Sequence, residues 1–241
     1  MPSLSIVIPT KNEADHLPRL LKTIRKQTHS DYEIIVADAG STDRTRDIAV
    51  QHGAIVVDGG LPGEGRNAGA KRATGEHILF LDADVVLPTE RYLEDCLVEM
   101  RAENLDVATC QVKPQSTSHL DRALHEAYNA YAFAMEKLRP HAPGFCIFVR
   151  REAHEIVNGF DEDVVFAEDH DYVQRLYKSD FRFGILHAHP IIVSVRRLDK
   201  DGRLAIALKY VYVELRMMAT GSIKKMPFQY DMGGKDDMDE E

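Results

Sequence analysis

The residues whose spacing carries the most chemistry are two aspartates, Asp82 and Asp84, delivered by the apolar run Ile78-Leu79-Phe80-Leu81. A buried strand ending in two carboxylates two residues apart offers hard oxygen ligands. Mg2+ commonly takes one or two carboxylates together with substrate phosphates, and Mn2+ accepts the same donors. Strand alternation predicts both side chains on one side, and the competing use of such residues is a helix cap or a solvated turn. A second acidic group, Glu168-Asp169-His170-Asp171, opens a predicted helix over 168–178. Carboxylates favour a helix N-terminus on dipole grounds, which explains one or two of them. Four ionisable residues in a row exceed what a cap needs, and a carboxylate beside a metal-bound phosphate can act as general base toward an acceptor hydroxyl.

Basic counterparts occur at two places. Gly63-Glu64-Gly65-Arg66-Asn67 opens another predicted helix, where backbone N–H groups suit an anion and Arg66 adds a bidentate phosphate donor. Gly63, Gly65 and Gly69 imitate a dinucleotide fingerprint, but the last glycine is one place late and the loop follows the third strand, so NAD is not expected. Arg196 and Arg197 end a late strand, where they either line a solvated edge or neutralise charge on a departing pyrophosphate. The histidines show no zinc spacing, and His187 and His189, on one side of a strand, read as structural. No G-x-S-x-G elbow is present.

These groups need elements to place them. Strands are predicted over Leu4–Pro9, Tyr32–Ala37, Ala54–Val57 and His77–Leu81, with helices over Glu13–Gln27, Asp43–Gln51 and Gly63–Ala73 between them. That alternation implies an α/β fold, a mostly parallel sheet with helices on both faces. Ligands then bind outside the carboxyl ends of the strands, where Thr10–Glu13, Asp38–Asp43, Gly63–Asn67 and Asp82–Asp84 all fall. The second half is less regular: strands over Leu105–Gln111, Gly144–Arg150, Phe181–Ile185 and Ile191–Val195, a helix over His119–Lys137, and a C-terminal amphipathic helix over Arg203–Thr220.

The motifs together resemble family 2 glycosyltransferases, inverting nucleotide-sugar enzymes of GT-A fold. The resemblance rests on Ser5-Ile6-Val7-Ile8-Pro9-Thr10-Lys11-Asn12-Glu13, Val36-Ala37-Asp38-Ala39-Gly40-Ser41-Thr42-Asp43, Arg66-Asn67, Phe80-Leu81-Asp82-Ala83-Asp84 and Phe166-Ala167-Glu168-Asp169, in that order over about residues 3 to 200. It implies that Pro9, Thr10, Lys11 and Glu13 lie along the nucleoside, with Asp38 reaching the base and Arg66 the nucleotide. It implies Asp84, with Asp82, as ligands of Mn2+ or Mg2+, Ala83 between them, and Glu168 beside Asp169, the base. Gly144-Phe145-Cys146 resembles the segment before the family's R-R-E stretch, here Arg150-Arg151-Glu152, bordering donor sugar and acceptor. Arg196 and Arg197 would close over the diphosphate. Many relatives have two adjacent aspartates where this chain has Asp38-Ala39, and Val86 stands where some lipid-phosphate transferases carry another metal-ligating residue.

The implied donor is a nucleoside-diphosphate sugar of UDP or GDP type; the acceptor is a hydroxyl or lipid phosphate on a glycan or lipid of unspecified kind, in glycan, glycolipid or cell-envelope synthesis. Alternatives are a haloacid-dehalogenase-type phosphotransferase using Asp82, or a nucleotide-sugar binder without catalysis. One domain is expected over 1–228, with a nucleotide-binding half (1–111), an acceptor half (112–200) and the helix 203–220, before a disordered acidic tail over 229–241. A formal charge of −9 argues against nucleic acid. Three scattered cysteines, no apolar leader and no run of ~18 apolar residues lead to the expectation of a cytoplasmic protein. Leu204, Leu208, Val211, Leu215 and Met218 follow helical spacing, so the segment 203–225 is expected to pack on the core, pair in a homodimer or contact the inner face of the membrane.

Overall fold

The computed structural model describes residues 2–224, so the expectation for the tail over 229–241 lies outside the described residues. Seven strands form one sheet in the order β3-β2-β1-β4-β6-β5-β7. They are β1 (Leu4–Thr10), β2 (Tyr32–Asp38), β3 (Ile55–Asp58), β4 (His77–Leu81), β5 (Val107–Pro114), β6 (Cys146–Arg150) and β7 (Phe183–Val193). Every pairing is parallel except the two made by β6. Helices α1 (Leu17–Arg25), α2 (Thr45–Gln51), α3 (Pro62–Arg72), α4 (Tyr92–Ala102), α5 (His119–Met135), α6 (Arg151–Ile156), α7 (Glu168–Lys178), α8 (Arg196–Asp201) and α9 (Arg203–Thr220) complete it.

Both faces of the sheet are covered, which is why β1 and β4 read as unbroken apolar runs. Their side chains divide with period two. Ile6, Ile8, Leu79 and Leu81 pack with Leu17, Leu20, Leu21 and Ile24 of α1 and Leu93 and Leu97 of α4. Val7, Ile78 and Phe80 pack on the other face with Ala70 of α3 and Tyr172, Val173 and Leu176 of α7. The glycines of α3 serve this second layer rather than a dinucleotide. A Cβ at Gly69 would lie 2.3 Å from Val7 Cγ1, and one at Gly65 3.3 Å from Pro9 Cβ, so α3 rides directly on β1.

Several boundaries differ from expectation. α1 starts at Leu17 rather than Glu13, because Lys11–His16 is a loop latched to the turn after β2. α4, α6 and α8 are not among the expected elements, and Arg196 and Arg197, expected to end a strand, instead open α8, because β7 stops at Val193. The strands expected over Phe181–Ile185 and Ile191–Val195 are one edge strand, β7. At its irregular centre, His187 and Ala188 donate their N–H groups to the Glu99 carboxylate of α4, and Pro190, which has no N–H to give, sits on the open edge.

Candidate active site

The carboxyl ends of β1, β2, β4, β5 and β7 share one edge, and antiparallel β6 begins there. The loop after β1 and the turn after β2 are stitched together by hydrogen bonds. Asn12 N–H donates to Ser41 Oγ (2.8 Å), Glu13 N–H to Thr45 Oγ1 (2.8 Å) and Ala14 N–H to Asp43 Oδ2 (3.0 Å). Pro9 and Thr10 finish β1, Lys11 is exposed, and Glu13 is buried. Asp38 ends β2 beside this loop. Its buried carboxylate accepts from Thr10 Oγ1 (3.1 Å), Ser41 N–H (3.0 Å) and Arg46 Nη1 (3.3 Å), so donors of the protein already satisfy it.

Arg66 is the hub. Its side chain is 4% exposed, and its guanidinium forks between Asp82 Oδ1 (3.0 Å) after β4 and Glu168 Oε1 (2.7 Å) at the start of α7. The Phe160 ring lies beneath it at 5.5 Å. Burial works against its charge, and Asp82, Glu168 and Asp169 outweigh burial, holding its pKa above the ordinary value. The fold thus makes Arg66 a partner of carboxylates rather than an open phosphate donor. The expected anion cradle at the start of α3 is likewise filled, because Glu64 folds back to accept from Leu61 N–H at 3.1 Å.

Beside Arg66 stands Asp169. Its Oδ2 accepts from Gly144 N–H at 2.6 Å, and its Oδ1 from His170 N–H at 2.8 Å. Gly144 is required by close approach, since a Cβ there would fall 2.4 Å from Arg66 Nη2. Ala167, just before Glu168, holds a left-handed φ of 54°, a strained setting for alanine that turns the chain into α7. Glu168 is raised from its ordinary value by burial and by the Asp169 charge, against Arg66.

Asp84 faces a second arginine. Strand pairing ends at Leu81 and Ala83 is buried in the core, so alternation no longer fixes the two aspartates. Asp82 turns to Arg66, and Asp84 Oδ2 meets Arg196 Nε at 3.1 Å. Arg196 also forks onto Glu13, at 2.6 and 3.1 Å. The bridge Val86–Ile192 brings the Asp84 segment against β7, from which α8 carries Arg196 and the exposed Arg197. Burial pushes Asp84 up, Arg196 pulls it down, and Asp82 and Glu13 push it up again, leaving it raised. A cavity of about 250 Å3 opens here, lined by His16, Arg19, Asp84, Gln115, Arg196 and Asp199 among others, while Asp82, Arg66 and Asp169 lie outside its walls.

One expected site segment is elsewhere. Cys146 pairs with Leu81, but Arg150 pairs with His77, and Arg151 Nε donates to Gly75 O at 2.8 Å. Because β6 runs antiparallel, Arg150-Arg151-Glu152 ends at the opposite edge of the sheet and only Gly144 borders the site. Conversely, sequence reasoning missed the layer around Asp169. His170 Nδ1 lies 3.6 Å from Glu214 of α9, and the His141 ring is 4.9 Å from that of His170. Burial disfavours the His170 charge, but Asp169 and Glu214 raise its pKa overall, and the His170 contact, with Tyr131 and Arg139, brings Glu214 down to about 2. The available signal was that Glu214 is the sole acid in an otherwise apolar or basic helix.

Comparison with known proteins gives one family. Residues 5–157 match the model for Glycosyl transferase family 2. Glycosyltransferase AglE of Haloferax volcanii is 27% identical over 256 residues, covering 94% of this chain and 83% of AglE. EpsJ of Bacillus subtilis, an uncharacterised glycosyltransferase, is 30% identical over 208 residues, covering 77% of this chain and 59% of EpsJ. The fold resembles that of the mannosyltransferase PcManGT from Pyrobaculum calidifontis, solved with GDP-Man and Mn2+, at TM-score 0.69 and 22% identity over 80% of this chain and 57% of that one. It also resembles S. aureus TarS 1-349, solved with UDP-GlcNAc, at TM-score 0.66 and 21% identity over 80% and 58%. This chain therefore spans less than two thirds of EpsJ and of both solved chains. The match replaces the haloacid-dehalogenase-type alternative. With its GT-A fold and its match over most of the sheet, the chain belongs to glycosyl transferase family 2 and is a glycosyltransferase.

Proposed function

We propose that the chain transfers a sugar, with inversion, from a nucleoside-diphosphate sugar of UDP or GDP type to an acceptor hydroxyl, using Asp169 as base and a divalent cation at Asp82 and Asp84. The observation that carries this reading is the convergence on Arg66. Asp82 from β4 and Glu168 from α7, far apart in the chain, share one buried guanidinium, with Asp169 adjacent. GDP-Man and UDP-GlcNAc in PcManGT and TarS support the donor class.

The donor set fits a hard cation. Among the described residues no cluster of three or more His, Cys, Asp or Glu could hold a metal, but one or two carboxylates suffice where substrate phosphates complete the shell. Asp84 is crowded by Asp82 and Glu13, a place where further positive charge is favoured. Mn2+ or Mg2+ bound there would act as a Lewis acid on the diphosphate leaving group. Asp169, oriented by the Gly144 and His170 N–H groups, takes the acceptor proton as the hydroxyl attacks the anomeric carbon from the face opposite the diphosphate. Arg196, which pairs with Glu13 and Asp84, would on release neutralise the departing phosphates.

The test supplies purified protein with Mn2+ and a panel of nucleotide sugars, first ranking donors by rise in melting temperature. With the best donor, Asp169→Asn is expected to lower transfer by about 10^2- to 10^4-fold with donor binding retained. Transfer that persists unchanged in this variant removes the base assignment.

A further inference from the structure

Between α5, α9 and the start of α7 lies a cleft walled by rings. Val213 and Met217 hold the inner side of α9 on Phe166, two residues before Glu168. At the helical pitch Tyr210 falls on that same side, about one turn past Ile206 and one before Glu214. Ile206, Val213 and Met217 are at most 5% exposed, yet Tyr210 is 51% exposed. A side chain turned toward the body that still meets solvent lines an opening. Across it, Tyr131 of α5 is 38% exposed and donates to Glu214 Oε1 at 3.0 Å. The buried His141 ring ties the wall together, 5.1 Å from the Tyr131 ring, 6.1 Å from Tyr128 and 4.9 Å from His170. Its Nε2 has no hydrogen-bond partner among the described residues. The wall reaches the proposed base: burial raises the pKa of the Tyr128 phenol, and the Asp169 charge, followed by Tyr210, Tyr131 and Glu214, raises it further.

Charge narrows what this cleft can take. Glu168, Asp169 and Glu214 supply its carboxylates, and the arginines beside them are committed, Arg66 to Asp82 and Glu168, and Arg139 to Glu214. His170 stands 3.6 Å from Glu214. A phosphate would meet like charge here with no open arginine to receive it. An aliphatic chain would cover phenol and imidazole groups and leave them without partners. A sugar ring satisfies both conditions. Its C–H face covers an aromatic ring, and its hydroxyls donate to and accept from phenol, imidazole and carboxylate. We infer that this cleft is the acceptor subsite of the transfer proposed above, on which the assignment rests, and that it seats an uncharged sugar ring with one hydroxyl at Asp169. The acceptor class is thereby narrowed from hydroxyl or lipid phosphate to a glycoside. As the acceptor oxygen bonds to the anomeric carbon, the bond from that carbon to the diphosphate breaks. The diphosphate leaves with the electron pair, and the hydroxyl proton passes to Asp169.

The test uses the full chain with Mg2+ and reads acceptor binding without turnover. The melting-temperature panel of nucleotide sugars comes first and judges the transfer reading alone. Saturation-transfer NMR then irradiates the aromatic protons of the chain, with and without the nucleoside diphosphate of the best donor. The ligands are the methyl glycosides of glucose, galactose, mannose and N-acetylglucosamine, with methyl phosphate as the charged competitor. At least one glycoside should take up saturation on its ring protons, and methyl phosphate should not displace it. Tyr210→Ala, at a half-exposed position, should keep the melting temperature and donor affinity. It should weaken glycoside binding by about 2- to 10-fold, the worth of one ring contact, and raise the acceptor KM by the same factor with kcat less changed. Tyr177→Ala, at the far end of α7, should change neither. The assignment is overturned if donor binds but no glycoside takes up saturation, if methyl phosphate displaces the glycoside, or if Tyr210→Ala binds it as tightly as wild type. A glycoside bound where no donor raises the melting temperature would instead fault the transfer reading and keep the cleft as a sugar site.

Discussion

Removing Arg66 tests whether the site is organised around one buried charge. Arg66→Met keeps approximate length and packing over Phe160 but leaves Asp82, Glu168 and Asp169 crowded with no cation between them. The two ion pairs, at 3.0 and 2.7 Å, involve a side chain 4% exposed. Breaking a buried pair by deleting one partner costs about 3–5 kcal/mol, most of it from the charge left behind. For a domain of this size that is a fall of roughly 6–20 °C in melting temperature, at about 2–4 °C per kcal/mol. The loss should depend on pH in a stated direction. Glu168 is already held above its ordinary 4.5 by burial and by Asp169, and without Arg66 it rises further. A carboxyl whose folded value exceeds its unfolded one is destabilising wherever the unfolded chain would be ionised. The penalty is therefore smallest below about pH 4.5 and full near neutrality. Urea melts of wild type and variant at pH 5 and pH 8 measure it. Arg66→Lys should recover only part, since an ammonium cannot fork onto two carboxylates. A loss under about 1 kcal/mol, equal at both pH values, would refute the hub and give the Arg66 pairs no more weight than exposed ion pairs carry.

Other variants probe neighbouring parts of the site. Gly144→Ala places a methyl 2.4 Å from Arg66 Nη2 and 3.2 Å from Asp169 Oδ2, and should cost about 1–3 kcal/mol in a thermal melt and reduce transfer more than donor affinity. Arg196→Gln frees Asp84 and Glu13, so calorimetry should show Mn2+ binding about tenfold tighter without nucleotide, and donor binding weaker with it, the loss of a charge-assisted contact. Unchanged affinities would separate Arg196 from the donor. Burial, with the Arg175 charge, lowers His154 from 6.5 to about 4, so its contribution is full above 6.5 and fades as pH falls toward 4. That contribution is worth about 3 kcal/mol, and His154→Gln, which can keep the bond to Tyr172, should flatten the acid side of the melting-temperature profile.

What the sequence discloses here is what local pattern can carry. The strands of the first half were legible because apolar runs buried on both faces have few alternatives, and α7 was legible because Glu168, Asp169 and Asp171 mark its first turn. The apolar spacing of Tyr92, Leu93, Cys96, Leu97 and Met100 marks α4 just as visibly. Other features had no local signal. Nothing in the five residues of β6 tells that the strand runs backwards, and that one reversal sends Arg150-Arg151-Glu152 to the far edge. The partner of Arg66 on α7 is 102 positions away, so residue type indicated a cation but not whether it would meet phosphate or carboxylate. Asp38 is a similar case: no local pattern tells that its carboxylate accepts from hydroxyl, amide and guanidinium donors of three neighbouring segments.

The two arginines of the site are arranged alike, and the arrangement constrains how a donor can enter. Arg66 forks between Asp82 and Glu168, and Arg196 between Asp84 and Glu13. Each arginine is already matched by two carboxylates, so a diphosphate that claimed either would strand a buried or half-buried negative charge, at a cost comparable to what the phosphate contact returns. A dication held by the two aspartates would remove that obstacle, since it would take over the carboxylates that an arginine gives up. Cation and diphosphate should therefore bind with positive coupling, each raising the affinity of the site for the other by the same factor. The same logic separates the roles of the pair. Arg66 is buried and anchored over Phe160, so it stays as scaffold; Arg196, with 43% of its side chain exposed on a short helix, is the one free to move.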